Sequence, residues 1–86
     1  MPRISEFFGI AIYMYYREHM PPHFHAIYAE HEAEVELDGL TLLSGALPPR
    51  VRGLVVEWAA MHRDELLQVW QQGKAKQPLS RIAPLK

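Results

Sequence analysis

Three of the five histidines of this chain fall within seven residues, in the stretch Arg17-Glu18-His19-Met20-Pro21-Pro22-His23-Phe24-His25. His23 and His25 stand two apart on an extended segment and so project from the same face. His19 sits before a Pro-Pro pair that stiffens the connection above them. Three imidazoles in this arrangement suit a divalent metal such as zinc, copper, nickel or iron, bound through His19, His23 and His25, with Glu34 or Glu36 able to add an oxygen ligand. The same residue types also suit metal-independent cleavage of RNA. In that chemistry His25 or Glu34 would take the ribose 2′-proton, His23 would protonate the leaving 5′-oxygen, and Arg17 or Arg50 would hold the phosphate. Tyr13 or Tyr15 could stack a base. A plainer reading treats the histidines and glutamates as cross-strand partners, each pair worth about 0.2–1 kcal/mol. That reading leaves His19 and the stiff Pro21-Pro22 without a role.

Composition narrows the setting. A chain of 86 residues has room for one domain, spanning residues 1–86. It has no cysteine, which excludes a disulfide framework and a thiolate metal site and fits a reducing cytoplasm. Net charge is −1, so bulk electrostatics announce neither nucleic acid nor a membrane. The distribution is uneven: five acids and no Lys or Arg lie between Glu30 and Asp38, whereas every charge after Glu65 is basic (Lys74, Lys76, Arg81, Lys86). An acidic face of this kind repels a phosphate backbone. The apolar run Phe7–Tyr16 is about half the length a membrane-spanning helix needs. The expectation is a cytoplasmic protein with no membrane partner.

The elements that position the histidines can be placed from periodicity. Phe8–Tyr16 is rich in β-branched and aromatic residues and reads as the first strand, with Met1–Glu6 a polar lead-in. His23–Tyr28 and Glu32–Asp38 alternate apolar and polar, and Asp38-Gly39 is a two-residue hairpin signal that leads into a strand at Leu40–Leu43. From Pro48 the period changes: Val51, Leu54, Val55, Trp58, Met61, Leu66, Val69 and Trp70 recur at helical spacing, with Gly73 as a C-terminal cap and a break near His62–Asp64 open. The predicted fold is α+β: a four-stranded antiparallel β-meander within about 8–44, a long C-terminal helix over about 48–72 packed on one face, and an extended basic tail at 73–86. Gly53, inside the helix, suggests a close approach to the sheet.

Register follows from matching faces. A two-residue turn at Ala29-Glu30 pairs His25 with Glu34, His23 with Glu36 and Phe24 with Val35, whereas a one-residue slip would set histidines against core residues. Pairing Tyr16 with Phe24 sets Tyr15 beside His25. One face then carries Ile10, Ile12, Met14, Phe24, Ala26, Tyr28, Ala33, Val35 and Leu37 under the helix. The opposite, wet face carries Tyr13, Tyr15, His23, His25, Ile27, Glu32, Glu34 and Glu36.

Met1-Pro2-Arg3-Ile4-Ser5-Glu6-Phe7-Phe8-Gly9-Ile10, Met14-Tyr15-Tyr16, His19-Met20-Pro21-Pro22-His23-Phe24-His25 and Tyr28 resemble a bacterial family of uncharacterised proteins, domain of unknown function 4160. The resemblance extends to Gly45-Ala46-Leu47-Pro48, Glu57-Trp58-Ala59, His62-Arg63-Asp64-Glu65-Leu66-Leu67, Trp70, Pro78-Leu79 and Ile82-Ala83-Pro84-Leu85. It implies a component of a toxin–antitoxin-like module that works through a small partner protein encoded nearby or through RNA. It implies no catalytic residues.

Overall fold

The computed structural model describes residues 2–16 and 19–86. The fold is α+β, with a five-stranded antiparallel sheet followed by two helices: β1 (Arg3–Phe7), β2 (Ile10–Tyr13), β3 (His23–Tyr28), β4 (His31–Glu36), β5 (Leu42–Gly45), α1 (Pro49–Met61) and α2 (Arg63–Lys74). The strands lie in chain order, β1-β2-β3-β4-β5, so the sheet is a meander. The sequence predicts four strands and one long helix; the structure has one strand more and divides the helix.

The extra strand is β1, in what reads as a polar lead-in. Phe8 and Gly9 have φ of 50° and 77°, and Phe7 pairs with Ile10. Two consecutive positive-φ residues make the type I′ turn that suits the twist of a hairpin, and an X-Gly dipeptide is its sequence signal. Phe8-Gly9 is therefore a turn and not the beginning of a strand. A register shift between Arg3 and Ser5 leaves Ile4 outside the ladder, and its carbonyl accepts from the Ile82 N–H at 2.8 Å.

The β3–β4 hairpin has the register that the sequence predicts at every position from His23↔Glu36 to Tyr28↔His31, around Ala29 at φ 52°. The β2–β3 pairing differs by two residues: Tyr13, not Tyr15, is opposite His25. β2 ends early, and Met14 turns its N–H to the Pro2 carbonyl at 3.3 Å. An offset of two keeps every side chain on its predicted face. The Asp38-Gly39 turn is longer than a two-residue hairpin. Leu40, at φ 55°, donates to Glu36 O at 2.9 Å, and Glu36 donates to Thr41 O, which moves the last strand to Leu42–Gly45. Gly45, at φ 77°, has room for no side chain, because a Cβ there would stand 2.1 Å from the Glu32 carbonyl.

The inner face of the sheet carries the predicted core: Ile10, Ile12, Met14, Phe24, Ala26, Ala33, Val35 and Leu37 are buried, and Tyr28 is half-buried. Trp58 of α1 is fully buried against them, its ring centroid 5.3 Å from Phe7 and 5.9 Å from Phe24. Its Nε1–H donates to Ala83 O at 2.8 Å, and Ile82 is buried beside it, so the basic tail is packed across α1 and the β1 edge. Gly53 makes no close approach; nothing lies within 4 Å of where its Cβ would be.

The helix breaks at His62, which leaves the helical region at φ −124°, ψ 27°. Its Nδ1–H donates to Glu65 Oε1 at 2.6 Å, and Asp64 and Glu65 occupy the first turn of α2, where negative charge opposes the helix dipole. The new direction carries α2 over one end of the sheet. Arg63 donates to the Asp38 carbonyl, Trp70 lies on His23, and Gly73 faces the Tyr15 carbonyl. Gly73 is thus a buried contact inside α2 and not its cap; the cap is Ala75.

Gly53→Ala, placing a better helix former in open space, is expected to stabilise the protein by up to about 1 kcal/mol in urea denaturation. Gly45→Ala, with no space and a positive φ, is expected to destabilise it. Ile82→Ala should cost about 2–5 kcal/mol, because Ile82 anchors the tail in the core. An unchanged urea midpoint in Ile82→Ala would show that the tail does not hold the fold.

Candidate functional site

The Pro-Pro connection brings the histidines to the end of the sheet that α2 crosses. His19 is exposed on the loop before Pro21, whereas His23, the first residue of β3, is 0% exposed. The His23 ring lies between His19 (5.2 Å), His25 (5.2 Å) and Trp70 (5.5 Å). Its Nδ1 is 2.7 Å from the Pro21 carbonyl, and a carbonyl only accepts, so the proton is on Nδ1. Nε2 is thereby turned to Glu34, 3.5 Å from its Oε1.

One ligand atom each from His19, His23 and Glu34 lies within 4.8 Å of the others. Two imidazoles and a carboxylate make a donor set for a divalent first-row metal. The structure therefore brings together two of the three predicted histidine ligands and Glu34, one of the two carboxylates expected to add an oxygen. His25 lies outside this group among the described residues. Its Nδ1 is 3.5 Å from Glu32 Oε2, and Tyr15 packs edge-on against its ring at 4.5 Å. Both histidine contacts are diagonal. His23 is opposite Glu36 in the ladder but reaches Glu34, and His25 is opposite Glu34 but reaches Glu32. Diagonal neighbours two positions along the partner strand lie within reach of long side chains.

The face is less wet than its polar residues suggest. His25 is only 8% exposed, and Tyr13, Tyr15, Glu34 and Glu36 are half-buried. Tyr13 and Tyr15 have parallel ring planes, 6.2 Å between centroids. The rings of Tyr13, Tyr15, His25, His23 and His19 thus form a continuous row ending at the Pro-Pro loop. The sequence reading missed this burial because the cover, Trp70, comes from 47 residues further along the chain. The apolar spacing of α2 places Trp70 on a helix face but does not say that the face passes the sheet's end. Of the groups proposed for phosphate binding, Arg50 is exposed in the first turn of α1, and Arg17 lies outside the described residues.

The family profile described as Domain of unknown function (DUF4160) matches residues 9–71. The chain belongs to this family. The match takes in four of the five strands, the whole His19–His25 element, Glu34 and α2 as far as Trp70, and so includes every residue of the DUF4160 site described above. Neither the curated proteins nor the solved structures compared with it give a match. No helix among the described residues is long and apolar enough to cross a membrane.

The contrast in burial separates two roles. His23→Ala removes a fully buried ring packed on Trp70 and is expected to cost about 2–4 kcal/mol in metal-free buffer. His19→Ala, at an exposed position, should stay within about 0.5 kcal/mol of the parent. Equal stability losses in thermal unfolding would contradict the structural division between the two.

Proposed function

We propose that this DUF4160 protein binds a divalent transition metal through His19, His23 and Glu34. The observation that carries the reading is the 3.5 Å separation of His23 Nε2 from Glu34 Oε1. Two ligands each about 2.1 Å from zinc, at a tetrahedral angle, stand about 3.4 Å apart. The Pro21 carbonyl supports it by holding the Nδ1 proton, the outer hydrogen bond that orients a metal-bound imidazole. His19, on the exposed loop, closes the set. Three protein ligands leave a coordination position for water or a substrate, the pattern of reactive rather than purely structural zinc sites.

The partner protein, the RNA and the toxin–antitoxin-like role come from the family resemblance. Acid–base cleavage of RNA would fall to His25 with Glu32 beside it, and to His23. The carboxylates of Glu30, Glu32, Glu34 and Glu36 weigh against that chemistry, because they repel phosphate. A bound divalent cation is favoured by the same charges.

The test is calorimetric titration of the metal-free protein with zinc, nickel and cobalt. One saturable site is expected, weakened about tenfold or more by His19→Ala and by Glu34→Gln, equivalent to about 1.4 kcal/mol. His25→Ala should bind metal as the parent does. Identical weak binding by the parent, His19→Ala and Glu34→Gln would remove the site. Loss of binding in His25→Ala and His19→Ala, with Glu34→Gln binding as the parent does, would return the ligand set to the three histidines.

A further inference from the structure

The first two turns of α2 meet Pro22 and the β4–β5 loop around a cavity of about 330 Å³. Pro22, Leu37 and Leu67 give it apolar walls, and Asp38, Arg63 and Asp64 its charges. The cavity is in the size range of small-molecule sites. Leu67 is 47% exposed within it, and Met20 and Met61, each two residues from a lining residue, are exposed large apolar side chains.

The charges decide what such a cavity can hold. Arg63 is committed: its guanidinium donates to the Asp38 carbonyl and stands 3.9 Å from Asp38 Oδ1. Asp64 has no ion pair among the described residues. The balance is one carboxylate in excess, which disfavours an anion. A bare metal ion would leave the apolar walls of Pro22, Leu37 and Leu67 unfilled. A purely apolar guest would leave the exposed Asp64 carboxylate unused. A guest with both features, an apolar body against the leucines and N–H donors at one end, satisfies every wall, because charge-assisted hydrogen bonds reach the carboxylate.

We propose that this cavity is a binding site for a primary ammonium carried on a compact apolar body, with Asp64 as its ion partner and Leu37, Leu67 and Pro22 as its walls. The site is separate from the metal centre and does not depend on it. The hydrogen bond from Arg63 to the Asp38 carbonyl joins the loop after β4 to the start of α2 at the rim. Asp64 sets the sign of the ligand, and the leucines set its bulk.

The probe is 3-methylbutylamine, titrated into ¹⁵N-labelled metal-free protein beside two isosteres of opposite and no charge, 4-methylpentanoate and 3-methylbutan-1-ol. Saturable shifts of the Leu37, Asp64 and Leu67 amides are expected with the amine and not with the acid. Asp64→Asn should weaken the amine about tenfold while the protein stays folded, with only the small drop in melting temperature that a lost first-turn charge brings, and Asp64→Glu should recover most of the binding. Equal binding of amine and acid, indifference to Asp64→Asn, or no shift with any probe would overturn the assignment. His19→Ala should bind the amine as the parent does, so a failed metal titration and a failed amine titration are distinguishable.

Discussion

The His23 imidazole is the joint on which the arrangement turns. It is held on one side by the Pro21 carbonyl and covered on another by the Trp70 indole, and it presents its remaining nitrogen to Glu34. Three parts of the chain far apart in sequence, the Pro-Pro loop, β4 and α2, therefore meet on one ring. A buried imidazole whose Nδ1 proton is held in this way would be a preorganised ligand for the proposed cation, with no rotamer or tautomer left to choose.

The bend at His62 makes that burial geometrically available. Breaking the helix lets α1 cover Phe24 with Trp58 while α2 crosses the end of the sheet with Trp70, and the same crossing leaves the cavity between Leu37 and Leu67. Core and site thus share one cause. The tail completes the packing from the opposite edge, where Ile82 and Ala83 bond Ile4 and Trp58. In a chain this short, an unpaired strand edge and an unpaired indole N–H are both worth covering.

The chemistry of the open face follows from charge as well as position. Alternation puts Glu32, Glu34 and Glu36 beside the imidazoles, a composition that attracts cations and repels phosphates. The proximity of Tyr15 to His25 shows how a local error can leave a site intact: the register differs from the predicted one by two residues, yet the tyrosine ring still meets the histidine, because an even offset preserves the face and a long side chain spans one pair of residues.

The α+β class, the alternating faces of the strands around the histidines, and the register of β3 on β4 are legible in the residues alone. Those features depend on a period of two and on a tight turn, both of which are local. The sequence also marked the histidine cluster and its acidic neighbours. The fifth strand was legible in principle from Phe8-Gly9, but an aromatic residue in a positive-φ position masks the turn. Burial of His23, the grouping of Glu34 rather than His25 with His19 and His23, and the packing role of Gly73 come from the tertiary fold. They depend on where α2 travels after His62 and on which side chain of the partner strand each histidine reaches, and both are set by packing among distant elements rather than by any local pattern of residues.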